Sequence, residues 1–256
     1  MSMSLLEVNH ITKRFEGLLA VDDVSIHVEE GEIVSVIGPN GAGKTTFFNM
    51  LTGVYPVTQG EILFDGKALH HLTPQEIVET GMARTFQNLR LFQEMRVIEN
   101  VLVGFHAKVK YTFLDSLFRT NRFRLEEKTL HQEAIAILDS IGLAGKLDSY
   151  ATSLPYGDQK RLEIARAIAT KAKLLLLDEP AAGMNPQESE DLLLFIKSLK
   201  TQGYTIILIE HDMNVVMKIS DRIYVLDHGK LIAEGQPEAI SMNKAVVDAY
   251  LGKEED

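Results

Sequence analysis

Two groups of residues in this sequence have the types and spacing to do chemistry on a phosphate. The first is Gly38-Pro39-Asn40-Gly41-Ala42-Gly43-Lys44-Thr45-Thr46, which satisfies G-x-x-x-x-G-K-[ST] at every required position. The glycines allow the backbone to curl until successive N–H groups point inward at an anion, and a following helix N-terminus adds positive potential. Lys44 is placed to reach the β- and γ-phosphates of a nucleotide, and the Thr45 hydroxyl to ligate Mg²⁺. The loop therefore predicts a nucleoside triphosphate site contacted by Asn40, Gly41, Ala42, Gly43, Lys44, Thr45 and Thr46. The second group is Leu174-Leu175-Leu176-Leu177-Asp178-Glu179, an apolar run ending in two carboxylates. Two acidic residues closing a strand are ordinarily a cap or a turn. Beside a phosphate loop they stand where open α/β sheets bind ligands. Asp178 is then the candidate to hold Mg²⁺ through water, and Glu179 the candidate base that polarises an attacking water.

These groups need a strand before the loop and a helix after it. Residues 32–37 are β-branched at four of six positions, as a buried parallel strand requires, and residues 46–51 read as a helix closed by Gly53. Upstream, residues 5–12 and 24–28 read as strands, with Phe15 and a Gly17 turn between them. Residues 60–66 form a glycine-bounded strand. Thr73-Pro74-Gln75-Glu76 opens a short helix, with Thr73 at the N-cap and Glu76 three residues on. Downstream, residues 174–177, 205–209 and 222–226 are short apolar strands connected by helices over 186–200 and 212–219, the alternation of a parallel sheet. A short helical region begins at Pro237 and ends in the charged Lys253-Glu254-Glu255-Asp256.

Between residues 88 and 160 strand signals fade and helical spacing takes over, at 97–103 and 126–141. Within it, Lys108, Lys110, Arg119, Arg122, Arg124 and Lys128 interleave with Tyr111, Phe113, Phe118 and Phe123. The segment reads as a solvated amphipathic hairpin, with contact to anionic lipid headgroups or a partner as the second reading.

Composition bounds the rest. At 256 residues with 45% hydrophobic content, the chain fits one large α/β unit or a core with an inserted subdomain. A net charge of −10 argues against a broad nucleic-acid surface, and the lack of cysteine excludes disulfides and thiolate metal sites. No apolar run reaches the roughly 18–20 residues of a membrane span, and residues 1–7 lack the features of a signal peptide, so any membrane role is expected to run through a partner.

With both phosphate motifs in place, the chain resembles the nucleotide-binding subunits of ABC transporters over nearly its whole length. Phe15 matches the aromatic residue that stacks on adenine. Gln87, in Arg84-Thr85-Phe86-Gln87, matches the Q-loop glutamine, a catalytic and metal-contacting position; His211, in Glu210-His211-Asp212, matches the switch histidine. Ala182-Gly183-Met184-Asn185 occupies the D-loop, where the family usually ends in aspartate. The resemblance implies an α/β fold: a P-loop NTPase (RecA-like) core with an antiparallel β layer and an inserted α-helical subdomain. The core would comprise residues 1–87 and 161–256, the helical subdomain residues 88–160. It implies an ATPase using ATP and Mg²⁺, with Lys44, Gln87, Glu179 and His211 catalytic and Thr45, Gln87 and Asp178 around the metal. The subunit would lie on the cytoplasmic face of the inner membrane, peripheral to permease transmembrane subunits and indirectly served by a substrate-binding protein.

One departure stands out. The family signature Leu-Ser-Gly-Gly-Gln is Leu154-Pro155-Tyr156-Gly157-Asp158 here. Pro155 supplies neither hydroxyl nor N–H, Asp158 brings a negative charge toward the anion, and Gly157, a nucleotide contact for the opposite subunit, is kept. A heterodimer with a cassette carrying the intact signature is therefore expected over a homodimer. The phrases at 83–88, 161–166 and 178–186, with the Tyr-Gly signature, resemble the branched-chain amino acid (Liv-type) importers, implying import of branched-chain or other hydrophobic amino acids. The alternatives are an ABC export subunit for lipid or lipopolysaccharide and a non-transport ABC ATPase acting on nucleic acid.

Overall fold

The computed structural model describes residues 4–251; the first three residues and the charged tail Lys253-Glu254-Glu255-Asp256 lie outside them. The chain opens with a long hairpin, β1 (Ser4–Phe15) and β2 (Leu18–Glu29), then β3 (Ile33–Ile37), whose five residues are all buried. Helix α1 (Lys44–Leu51) starts two residues earlier than the periodicity predicts, because Gly43 in the left-handed region serves as its N-cap; this puts Lys44 and Thr45 in the first turn. Strands β4 (Gln59–Phe64) and β5 (Lys67–Ala68) follow. Helix α2 (Pro74–Thr80) begins with the capping box expected at Thr73 and Glu76. Strand β6 (Met82–Arg84) is too short to have shown any alternation.

Helices then dominate, as the sequence predicts: α3 (Val97–Gly104), α4 (Phe113–Leu117), α5 (Asn121–Ser140) and α6 (Tyr156–Ala169). Helix α5 begins five residues before the expected start, capped by the Thr120 side chain. Helix α6 runs without a break across residue 160, where the sequence suggested a boundary. Afterwards β7 (Leu174–Asp178), α7 (Pro186–Thr201), β8 (Thr205–Ile209), α8 (Met213–Ile219) and β9 (Arg222–Asp227) follow the expected alternation. Strand β10 (Lys230–Gly235) was not anticipated; it returns antiparallel to β9 before α9 (Pro237–Ser241) and α10 (Lys244–Leu251).

Two sheets result. The antiparallel one has the order β2-β1-β4-β5, and the other β10-β9-β3-β8-β7-β6, parallel from β9 to β6. The inner strands of the parallel sheet are buried on both faces. Leu175, Leu177, Ile206 and Leu208 join a core with apolar residues of α3, α5, α6 and α7. Leu174, Leu176, Ile207 and Ile209 point the other way, into a core built with Phe47, Phe48 and Leu51 of α1 and Leu6, Val8 and Ile11 of β1. Alternation along each strand thus glues helices to one side and the antiparallel layer to the other.

Helices α3 and α6 approach very closely at Gly104. A Cβ there would stand 2.4 Å from the Arg166 carbonyl oxygen and 2.7 Å from the Ala169 Cβ. Its φ is ordinary for a helix, so the constraint is space and not conformation. We expect Gly104→Ala to push the helices apart and lower stability by about 1–3 kcal/mol, the usual cost of overpacking, measured by urea unfolding. An unchanged unfolding midpoint would show that the helices part without cost.

Candidate active site

The phosphate loop joins β3 to α1 under tight constraint. A Cβ on Gly38 would lie 2.0 Å from the Leu226 carbonyl oxygen, and one on Gly43 2.5 Å from that of Ala20. Both glycines also have positive φ, so only glycine fits on both counts. The loop is anchored to the β9–β10 turn, where the Gly229 N–H donates to the Ala42 carbonyl at 3.0 Å. The Lys44 ammonium is buried and donates to the carbonyls of Gly38 at 2.6 Å and Pro39 at 3.1 Å, which holds its charge at the mouth of the loop. A cavity of about 460 Å³ opens there, lined by residues 40–46, by Leu18, Leu19 and Ala20, and by Glu179, His228 and Gly229. Its size and inward-facing loop suit a nucleotide's phosphates.

Glu179 enters that cavity from the end of β7. Its backbone is in the left-handed region (φ 45), where few non-glycine residues sit, and its N–H donates to the Ile209 carbonyl at 3.0 Å. Gln87 Nε2 donates to Glu179 Oε2 at 2.8 Å, and His211 Nδ1 lies 3.7 Å from the same oxygen. Three residues far apart in sequence therefore meet at one carboxylate beside the phosphate loop. His211 also borders a second hollow of about 470 Å³ between residues 181–184 and α8. Glu210 stays buried; it accepts the Ala181 N–H at 3.1 Å, and burial pushes its carboxyl above the ordinary range.

Asp178, on the preceding residue, is also buried, and here the structure adds a residue that sequence reasoning passed over. Arg84 donates to Asp178 Oδ2 at 2.7 Å, to Asn49 Oδ1 on α1 at 2.7 Å and to Thr52 Oγ1, at the α1 C-cap, at 3.3 Å. The guanidinium lies over the rings of Phe48 and Phe86. Both partners of the ion pair are under a tenth exposed. Thr45, Asp178 and the Gln87 amide carry hard oxygen donors of the kind Mg²⁺ takes, with Asp178 Oδ2 occupied by Arg84 and Gln87 Nε2 by Glu179.

Lys160 is the second residue missed. It is 2% exposed, and its ammonium donates to the Gln87 carbonyl at 2.8 Å. Burial pushes its pKa down, while Glu163, Asp178, Glu210 and Glu179 pull it back up. Two further α6 side chains grip the same stretch: the Arg90 N–H donates to Glu163 Oε1 at 3.3 Å, and Arg166 donates to the Arg90 carbonyl at 2.6 Å. The one available signal was that Lys160 shares a helix with a closely spaced apolar set, Leu162, Ile164, Ala165 and Ile168.

The remaining expected residues lie elsewhere. Phe15 does not line the phosphate cavity; it is half-buried and edge-on to Tyr55 at 5.1 Å, with the Lys13 ammonium 4.8 Å from its ring. Gly157 sits in the first turn of α6, away from this chain's own loop. Pro155 is the α6 N-cap and offers no side-chain cap. Asp158 does stand at that helix end, where Lys146 pairs with it at 2.6 Å and offsets its charge. Tyr156 reaches the D-loop, donating its hydroxyl to the Ala182 carbonyl at 3.2 Å.

Known proteins resemble the chain over nearly its whole length. The profile of the ABC transporter family matches residues 21–182, and that of the branched-chain amino acid ATP-binding cassette transporter matches residues 230–256. The chain is 48% identical over 254 residues to the high-affinity branched-chain amino acid transport ATP-binding protein BraF of Pseudomonas aeruginosa, covering 99% of this chain and 100% of that one. It is 49% identical over 254 residues to LivG of Escherichia coli, a protein of the same description, with the same coverage. Among solved structures, an ATP-binding cassette of an ABC transporter in its ADP conformation superposes with a TM-score of 0.86 at 34% identity, covering 98% of this chain and all of that one.

The Arg84–Asp178 pair yields a stability prediction. Arg84→Met leaves Asp178 buried without its cation, at a cost of about 3–5 kcal/mol. Adding Asp178→Leu to Arg84→Met removes the stranded charge and should recover a large part of that loss. Urea unfolding of the two variants tests this; equal stability would show that Asp178 finds water when Arg84 is gone.

Proposed function

Because the chain belongs to the ABC transporter family of ATP-binding cassettes, we propose that it hydrolyses ATP to drive import of branched-chain or other hydrophobic amino acids through a separate membrane permease. The observation that carries the chemistry is the convergence of Gln87, Glu179 and His211 beside the phosphate loop. Lys44 pairs with the β- and γ-phosphates in place of the loop carbonyls it now holds. Glu179 accepts a proton from the attacking water as the new P–O bond forms and ADP leaves. Gln87, donating to Glu179 Oε2, holds the carboxylate toward that water, and His211 stands close enough to share its developing charge. Thr45, Gln87 and Asp178 would hold Mg²⁺, which supplies charge neutralisation at the β- and γ-oxygens when bound.

Among the described residues no helix is long and apolar enough to cross a membrane, so coupling runs through partners. We assign the chain to the cytoplasmic face of the inner membrane, against permease transmembrane subunits that receive cargo from a substrate-binding protein. Residues 1–87 with 161–256 serve as the nucleotide core and 88–160 as the helical subdomain. Phe92, 45% exposed beyond Gln87, offers the permease an apolar contact, whereas the neighbouring Leu91 packs against the core. The names of the relatives favour amino acid import over the export and nucleic-acid readings.

Two cassettes close head-to-tail over the nucleotides in this reading. Pro155 takes the place of the signature serine, so this chain gives its partner's nucleotide one donor fewer, although Lys146 quiets Asp158. A heterodimer with a cassette bearing the intact signature lets this chain's own Lys44, Glu179 and His211 meet a full lid.

Two outcomes are expected. Glu179→Gln should lower phosphate release by roughly 10²–10⁴-fold while ATP binding by calorimetry persists; turnover near the parental rate would move the base elsewhere. The lone chain should release phosphate slowly, and assembly with a different cassette and the permease should raise the rate by about the 10²–10³-fold attached to one transition-state donor. Full activity from the lone chain, unchanged on assembly, would overturn the heterodimer reading.

A further inference from the structure

The hairpin between α3 and α5 buries none of its first helix. All of α4 lies outside the core, and Phe113, Leu114, Leu117 and Phe118 are between 61% and 80% exposed. At 100° per residue they share an arc of roughly 140°, one apolar face of a short helix. Leu125, 69% exposed on α5, stands beside the same segment in sequence. Exposed apolar side chains in such a group mark a contact surface.

The charges around this face are sorted by sign. Residues 110–128 hold five basic and three acidic side chains. Each carboxylate is turned into the hairpin. Asp115 closes the α4 capping box on Thr112 and accepts from the Thr120 hydroxyl at 3.0 Å; these bonds, first the Thr112 N–H, hold it below the ordinary carboxylate range. Glu126 accepts the Lys110 N–H at 2.6 Å, and Glu127 the Tyr111 hydroxyl at 2.8 Å. Of the basic residues, Arg122 donates to the Lys110 carbonyl at 2.8 Å. Among the described residues, Lys110, Arg119, Arg122, Arg124 and Lys128 form no ion pair. The hairpin satisfies its own acids and leaves Lys110, Arg119, Arg124 and Lys128 exposed and without an ion pair, in the same segment as a bare apolar face.

We propose that the α4 face and the basic residues around it dock directly on the anionic surface of a lipid bilayer. Apolar side chains reaching the headgroup boundary, flanked by unpaired Arg and Lys, are the chemistry that an acidic membrane surface recognises. The sign of the rest of the molecule favours this occupant. With a net charge of −10, the chain as a whole is repelled by such a surface, so this local patch also fixes which side approaches it. The contact goes beyond the transport reading and requires neither ATP turnover nor a permease.

The test uses the purified full chain with vesicles of phosphatidylcholine alone and vesicles in which about one-third of the lipid is phosphatidylglycerol, read by co-sedimentation. Binding is expected to the anionic vesicles only, and to weaken as salt is raised. Arg119→Gln, Arg124→Gln and Lys128→Gln should each weaken it by about fivefold. The combined Leu114→Ser and Leu117→Ser variant should abolish it, with circular dichroism and ATP affinity as in the parent. Glu179→Gln should bind vesicles like the parent, which separates this outcome from failure of the catalytic reading. Equal binding to both vesicles, or partition unchanged by the variants, would overturn the proposal. So would absence of vesicle binding, including the case where the serine variants instead alter self-association or permease co-purification, because the face then belongs to a protein contact.

Discussion

Everything at the active site rests on the register of four parallel strands. Val36 is level with Ile209, and Ile209 with Asp178, so the phosphate loop, the switch segment and the two carboxylates leave the sheet along one edge. On the far side Arg84 is level with Leu176. Beyond the ends of β6 and β7, the Gln87 and Glu179 side chains bond at 2.8 Å. A slip of one residue in any pairing would reverse the facing of every side chain in that strand and send Asp178 or Arg84 into the wrong core. The buried, branched strands forbid the slip, because each face already fills a separate core.

That register gathers charge where little water reaches. Asp178, Glu163, Glu210 and Lys160 are all buried, with Glu179 at their margin and Arg84 under the Phe48 and Phe86 rings. Removing charges from water is costly, and each needs a partner held in place. Arg84 answers Asp178 with one branch and the end of α1 with the other, so the guanidinium also fixes how the phosphate-loop helix sits against β6 and β7. A lysine at that position would satisfy one of these contacts at a time. Glu179 is held in an uncommon backbone conformation at this edge, at a cost of order 1–3 kcal/mol that the surrounding sheet sustains.

Much of this was legible in the sequence for one reason: local patterns dictate local structure. The phosphate loop, the apolar strands and the Thr73 capping box each sit in a contiguous run whose chemistry is its own signal. Strand β6 was not legible, since three residues show no period, nor was β10, whose side chains are mostly half-exposed and lack a clean alternation. The site residues that were missed are bound across distance: Arg84 and Asp178 are 94 positions apart, and Lys160 and Gln87 are 73. No window of sequence contains both partners. Asp158 illustrates the converse: its charge looked damaging until folding set Lys146 beside it.

The most consequential of these distant bonds tie the Q-loop to α6. Lys160, Glu163 and Arg166 are spaced by three along one helix and hold, in turn, the Gln87 carbonyl, the Arg90 N–H and the Arg90 carbonyl. Side chains three apart share a helix face, so α6 presents a row of grips to a single stretch of chain. Two of those grips are buried, where an unmade hydrogen bond to a charged group costs more than at the surface. Displacing residues 87–90 therefore either breaks several such bonds together or carries α6 along. The near end of α6 bears Tyr156, which is bonded to the D-loop carbonyl of Ala182, and Gly157 beside it. Gln87 itself is bonded to Glu179. The Q-loop, the proposed catalytic carboxylate Glu179 and the signature end of α6 are thus joined through one chain of contacts.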